Sequence, residues 1–203
     1  MDRLNEKIYI PTSDKLIGNN IYKTSIEGLY YIPIQSHQDD RGFFRTISLI
    51  PDLNTTLNIH FTVKQINHAR SNQNVTRGIH AENWNKLVTI ISGKALCILA
   101  DVRPHSPTYK NVEYFKLGIG NDVDQASLFI TKNIGNSVSV LEGPVDYLYA
   151  VDQLYSERDT TGDKAISLFD QELNIQWPIP RDQMIISERD KNSTTLKELK
   201  NKT

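Results

Sequence analysis

Among the five histidines of this 203-residue chain, His80 has the neighbours that a proton-transfer site needs. It lies in Arg77-Gly78-Ile79-His80-Ala81-Glu82, and Lys86 follows six positions later. An imidazole takes a proton near neutral pH, and an ammonium stabilises the oxygen on which negative charge then develops. Together they suit the removal of a proton from a carbon beside a carbonyl. His37, His60, His68 and His105 have no such company, and a lone histidine in a β domain is as a rule structural.

The elements that must carry these groups are short strands. From residue 29 onward, runs rich in Ile, Val, Tyr and Phe recur between Asn, Asp, Gly, Ser or Pro, which is the pattern of an all-β sandwich or barrel. The spacing predicts strands over 29–34, 61–66, 87–91, 95–100, 112–117, 126–130, 137–141 and 147–151. Ser92-Gly93-Lys94 reads as a hairpin turn joining the third and fourth, with glycine where positive φ is needed. No core segment keeps helical periodicity for three turns. Residues 1–23 are polar around one apolar island, 8–10, and read as an N-terminal arm outside the core. A single domain then spans 24–190, and 191–203 form a polar tail, either a frayed helix or disordered.

Composition narrows the function classes. A net charge of −1 supplies no electrostatic footprint for nucleic acid or an anionic membrane surface. No apolar run approaches the ~20 residues of a membrane span. The start Met1-Asp2-Arg3-Leu4-Asn5-Glu6-Lys7 lacks the apolar core of a secretory signal, so the expected location is the cytoplasm. One cysteine, Cys97, rules out an intrachain disulfide and a cysteine-rich zinc cluster.

The run from His80 through Glu82 and Lys86 to Gly93 resembles the first motif of the cupin β-barrels, with Glu82 where a second histidine and Lys86 where a glutamate would be metal ligands. The later ligand position is Asn136. A protonated lysine repels a divalent cation and offers no lone pair, so no metal and no cofactor are expected.

The resemblance sharpens along the chain. Asp39-Asp40-Arg41-Gly42-Phe43-Phe44, Gln65-Ile66-Asn67-His68, Arg77-Gly78-Ile79-His80, Lys86-Leu87-Val88, Asp101-Val102-Arg103 with Ser106-Pro107-Thr108-Tyr109, Leu148-Tyr149, and Asp170 with Leu173-Asn174-Ile175-Gln176-Trp177-Pro178 occur in order. Together they resemble the dTDP-4-dehydrorhamnose 3,5-epimerase family over about residues 24–190. The resemblance implies a metal-free cupin double-stranded β-helix, or jelly roll, usually a homodimer, acting on a nucleotide-linked 4-keto-6-deoxyhexose. It implies His80 as the base, Asp170 as the carboxylate orienting it, Tyr149 as the acid on the opposite face and Lys86 near the C4 keto oxygen. Arg41, Gln65, Asn67 and Arg77 would lie around the diphosphate and sugar, and Asn136 stands where the family has a second active-site histidine.

Such an enzyme inverts C5, or C3 and C5, since the C4 ketone acidifies both protons and one base and one donor suffice. Thr46 in place of a glutamate, Leu154 in place of a tyrosine, and the short stretch between His80 and Lys86 that contains Trp84 depart from the family pattern. A keto-sugar isomerase and a non-catalytic nucleotide-sugar-binding cupin are the alternatives these departures leave open.

Overall fold

The computed structural model describes residues 2–200, and its helices are short: α1 (Asp2–Asn5), α2 (Ile50–Leu57), α3 (Glu188–Lys191) and α4 (Leu196–Lys200). The strands are β1 (Leu16–Gly18), β2 (Ile21–Lys23), β3 (Leu29–Pro33), β4 (Ser36–Asp39), β5 (Gly42–Arg45), β6 (Gln65–Ser71), β7 (Thr76–Ala81), β8 (Lys86–Asp101), β9 (Val112–Gly118), β10 (Ala126–Ile130), β11 (Ile134–Val151) and β12 (Lys164–Ala165).

Two long strands organise the molecule. β8 and β11 pair antiparallel along nearly their whole length, from Lys86 opposite Val151 to Asp101 opposite Ile134. The first half of β8 pairs β10, which continues through β3 to β2 and β1. Its second half pairs β9. β11 divides likewise, pairing β6 near its end and β7 near its start. The result is a double-layered β jelly roll in which β8 and β11 pass from one layer into the other. Tyr31, Val88, Cys97, Leu99, Phe115, Leu128 and Val138 fill the space between. Burial on both faces explains why all five residues of β10 are buried rather than alternating.

The hairpin expected at Ser92-Gly93-Lys94 does not exist. Residues 87–91 and 95–100 belong to one strand, and 137–141 and 147–151 likewise to another. Gly93 has φ 75°, and a Cβ there would meet the Pro144 carbonyl oxygen at 2.4 Å. This glycine therefore serves the close approach of β11 where the β8–β11 register shifts, not a turn. The strand expected over 61–66 begins at Gln65, while Phe61 packs with Leu53 of α2 and Phe129 of β10. The helix α2 is a departure from the all-strand expectation, opened by Pro51 and closed by Asn58 in the left-handed region.

The two ends also differ from expectation. Of the expected arm 1–23, residues 4–23 do not stand outside the core: Tyr9 is 3% exposed, Ile21 is 2% exposed, and β1 and β2 extend the main sheet. Nor are 191–200 a loose tail, because Leu196 is buried against Ile79, Ile166 and Leu168, and Ile166 bridges Thr194. Met1 of the expected arm and 201–203 of the expected tail lie outside the described residues. No described helix is long and apolar enough to cross a membrane.

Candidate active site

β6, β7 and the β11 face that follows them open one end of the jelly roll into a cavity of about 460 Å³. Alternation decides which residues of β6 line it. On β6, Gln65, Asn67 and Ala69 point inward, and Ile66, His68 and Arg70 point away. β7 contributes Arg77 and His80, and β11 contributes Asn136, Ser137, Val138, Tyr147 and Tyr149. Glu82 and Trp84 on the short β7–β8 connection, Lys86 at the start of β8, Tyr155 and Arg189 complete the lining.

The structure brings together His80, Lys86, Tyr149, Gln65, Asn67, Arg77 and Asn136, and it leaves out two of the expected residues. The first is Asp170. Its carboxylate accepts the backbone N–H groups of Glu172 (2.8 Å), Leu173 (3.1 Å) and Leu196 (2.7 Å), so it ties the 170–173 turn to α4 and does not reach His80. The histidine's partner is Asp190, whose Oδ1 lies 2.6 Å from His80 Nε2. Asp190 is 5% exposed and also accepts from the Gly78 N–H, and Ser187 caps its short helix. Burial alone would raise the Asp190 pKa, but the hydrogen bond and charge of His80 outweigh it and hold the carboxyl below its ordinary value. In the neutral tautomer that donates Nε2–H to that carboxylate, the lone pair is on Nδ1.

The second residue left out is Arg41. It sits at the tip of the separate β4–β5 hairpin, with its side chain 89% exposed and paired to Asp39. Thr46 lines a different, smaller cavity. Leu154 gives way to its neighbour: Tyr155 places an aromatic ring on the rim, 6.2 Å from Trp84.

Electrostatics fix the charge state of the groups lining the cavity. Burial raises the pKa of Tyr149, and the nearby Glu82 charge adds to it, so the phenol keeps its proton. Burial holds Tyr147 well above the ordinary phenol value, with its ring centroid 5.7 Å from that of Tyr149. Lys86 is 4% exposed and ion-paired with Glu82, which also accepts from Trp84 Nε1 at 3.2 Å. Burial would raise Glu82, but Lys86 outweighs it and keeps the carboxylate ionised. Arg77 is braced by Ser71 Oγ (2.8 Å) and the Arg70 carbonyl (3.2 Å), and Gln65 donates to Asn67 at 2.7 Å. Among the described residues no group of three or more His, Cys, Asp or Glu is placed to hold a metal ion. Cys97 is buried in the core, its thiol pushed up to about 12 by burial, and takes no part.

Tyr147, Tyr155, Arg189 and Asp190 are the lining or orienting residues that sequence reasoning missed, while Glu82, singled out only as a substituted cupin ligand position, pairs with Lys86. Of the four, only Asp190 had a signal, the Ser187-x-x-Asp190 spacing of a capped helix start.

The two aspartates are separable. If His80 is the base that the resemblance implies, Asp190→Asn is expected to lower turnover by about 10- to 10³-fold with little change in substrate affinity, since it weakens that imidazole without touching the cavity wall. Asp170→Asn should instead act on stability, by about 1–3 kcal/mol, because a neutral amide replaces a carboxylate that accepts three N–H groups. Steady-state kinetics beside thermal melts of both variants check this, and a larger kinetic loss in Asp170→Asn would reverse the assignment.

Comparison with known proteins follows the same lines. A family model described as dTDP-4-dehydrorhamnose 3,5-epimerase matches residues 23–198. The chain is 28% identical over 179 residues to the dTDP-4-dehydrorhamnose 3,5-epimerase of Streptomyces griseus, covering 86% of each chain. The solved structure of a dTDP-6-deoxy-D-glucose-3,5-epimerase from Legionella pneumophila, in complex with dTDP-4-keto-L-rhamnose, superposes with TM-score 0.78 at 27% identity, covering 88% of this chain and 93% of that one. A 4-keto-6-deoxy sugar epimerase from the novobiocin cluster of Streptomyces spheroides shares the fold, with TM-score 0.81 at 24% identity over 96% of this chain and 94% of that one.

Proposed function

Because this chain belongs to the dTDP-4-dehydrorhamnose 3,5-epimerase family, we propose that it is a cofactor-independent epimerase of a nucleotide-linked 4-keto-6-deoxyhexose, acting in deoxysugar biosynthesis in the cytoplasm. The observation that carries the reading is the His80–Asp190 pair, 2.6 Å apart, in a cavity that a protonated tyrosine also lines. His80 Nδ1 removes the proton from a carbon beside the C4 ketone, and Asp190 stabilises the imidazolium that results. Lys86 supports the negative charge developing on the C4 oxygen. Tyr149 returns a proton from the opposite face, which inverts the centre. Arg77 and Arg189 bind the diphosphate, where guanidinium groups make paired contacts with phosphate oxygens.

The protein works as a homodimer on this reading. The β4–β5 hairpin carries Arg41 beside Phe43 and Phe44, which are 53% and 72% exposed. Arg41 is outside its own cavity, so its place by the nucleotide is in a partner's cavity, with the two phenylalanines covered by the same contact.

Incubation with dTDP-4-keto-6-deoxy-D-glucose in deuterated water tests the activity. Deuterium at C5 with inversion is expected, and label at C3 as well shows that two centres are inverted. Transfer of the keto group to another carbon would establish the isomerase instead. Binding of the nucleotide sugar without any label would establish a non-catalytic binder.

A further inference from the structure

A hydrogen-bonded pair on the cavity wall has at least one donor and one acceptor left over. Asn136 lies opposite His80 in the β7–β11 register, and its Nδ2 donates to the Tyr147 hydroxyl at 2.9 Å. The Asn136 Oδ1 is buried and has no partner. The Tyr147 oxygen accepts from Asn136, and its own hydrogen has no acceptor among the described residues. Burial keeps that phenol protonated, so the hydrogen is always there to give. Both side chains line the cavity.

Turning the amide over does not change the sum. Tyr147 would then donate to Oδ1, leaving Nδ2 as the free donor and a phenol lone pair as the free acceptor. In either orientation the pair offers at least one donor and one acceptor side by side. A hydroxyl group, which both gives and takes a hydrogen bond, satisfies the two together. A ketone satisfies only the donor, and a methylene satisfies neither.

We propose that Asn136 and Tyr147 form a hydroxyl-reading clamp that determines which sugar the site accepts, requiring a free hydroxyl on the carbon that faces the pair. The proposal rests on the epimerase reading, under which the sugar is bound through C1, its ring oxygen is C5-linked, C4 is a ketone and C6 is a methyl. Only the C2 and C3 hydroxyls are then available. A site built to bond a hydroxyl rejects the analogue that lacks it much more strongly than an apolar wall does, because the buried donor and acceptor stay unpaired.

The test compares dTDP-4-keto-6-deoxy-D-glucose with its 2-deoxy and 3-deoxy counterparts on wild type, Tyr147→Phe and Asn136→Leu. Wild type is expected to favour the full substrate over one of the two deoxy compounds by about 10²-fold or more in kcat/KM. That compound identifies the hydroxyl. Each variant should shrink this ratio by at least about tenfold, and the double variant should shrink it little further, since either change breaks the same clamp. Wild type that accepts both deoxy compounds as readily as the full substrate overturns the proposal. So do variants that lose the same factor on all three, which is the signature of a structural role.

Calorimetric binding of the unreactive dTDP-6-deoxy-D-glucose and its 2-deoxy and 3-deoxy forms keeps the two hypotheses distinct. Discrimination there that disappears in Tyr147→Phe upholds the clamp even if no proton is ever exchanged, which would sink only the epimerase reading. Equal affinities for the three compounds overturn the clamp whatever the catalytic result.

Discussion

His80→Ala is expected to suppress deuterium exchange into the substrate by about 10²–10⁴-fold, because the variant has no imidazole to accept the proton. Glu82 cannot stand in for it, since its carboxylate is occupied by Lys86 and Trp84. The variant should also be less stable, for a separate reason. Asp190 is buried and loses the partner that holds its pKa down, while the burial that opposes ionisation remains. Breaking a buried pair in this way costs roughly 3 kcal/mol, the low end of the usual range, since the His80 side chain is 24% exposed.

The pH dependence has a definite sign. In the wild type the folded Asp190 pKa lies below its ordinary value of 3.8, so the pair's stabilisation is fully present above that value and is lost as pH falls through the folded pKa. The gap in melting temperature between wild type and His80→Ala should therefore be widest near neutral pH, narrow as pH falls and the variant's carboxyl, its pKa raised by burial, takes up a proton, and close once the wild-type carboxyl is protonated as well. A gap that is constant from pH 7 to about pH 3 would mean that the loss comes from packing and not from the stranded charge. Exchange in His80→Ala at the wild-type rate would remove the epimerase reading from this cavity altogether.

The parts of this site that could be read from the chain are those set by local pattern. His80, Lys86, Gln65, Asn67 and Tyr149 belong to short runs that the sequence singles out as motifs, and all five line the cavity. Period-two alternation explains which side chains of β6 face inward, but the strand that carries His80 has no such pattern and is not among the expected strands. A residue's role is hidden from the chain where it depends on what approaches it from elsewhere. Gly93 looks like a turn residue in its own neighbourhood, yet it is required by β11, about fifty positions away. Asp190 stands in Ser187-Glu188-Arg189-Asp190-Lys191, a charged run that reads as solvated, and only the return of this segment across β7 puts its carboxylate against His80.

Asp170 shows the opposite error. It heads Asp170-Gln171-Glu172-Leu173, a local acidic turn, and the structure uses it as one. What local reading could not supply was Leu196, whose N–H completes the set and whose side chain is buried under the first turn of α4. Charged runs at chain ends thus conceal both the orienting carboxylate and the packing that holds it, because each depends on one buried residue among several exposed ones.

The last expectation separates the two faces of the site. If His80 removes a proton from one side and Tyr149 returns one from the other, Tyr149→Phe keeps the base and the enolate but has no donor for inversion. His80 alone can then reprotonate the carbon, on the face from which the proton came. The variant should wash deuterium into C5 while forming little inverted product, whereas wild type couples label to inversion. The change is mild for the fold: the Tyr149 hydroxyl makes no hydrogen bond among the described residues and the ring stays, so the stability loss should be under about 1 kcal/mol. Since burial raises the Tyr149 pKa above 10.0, the donor remains protonated through alkaline conditions, and wild-type inversion should not fall between about pH 8 and 9.5 through ionisation of this group. Normal inversion by Tyr149→Phe would show that another acid, the neighbouring Tyr147 or water, closes the cycle. Loss of exchange and inversion together would place Tyr149 on the same step as His80, stabilising the enolate rather than capturing it.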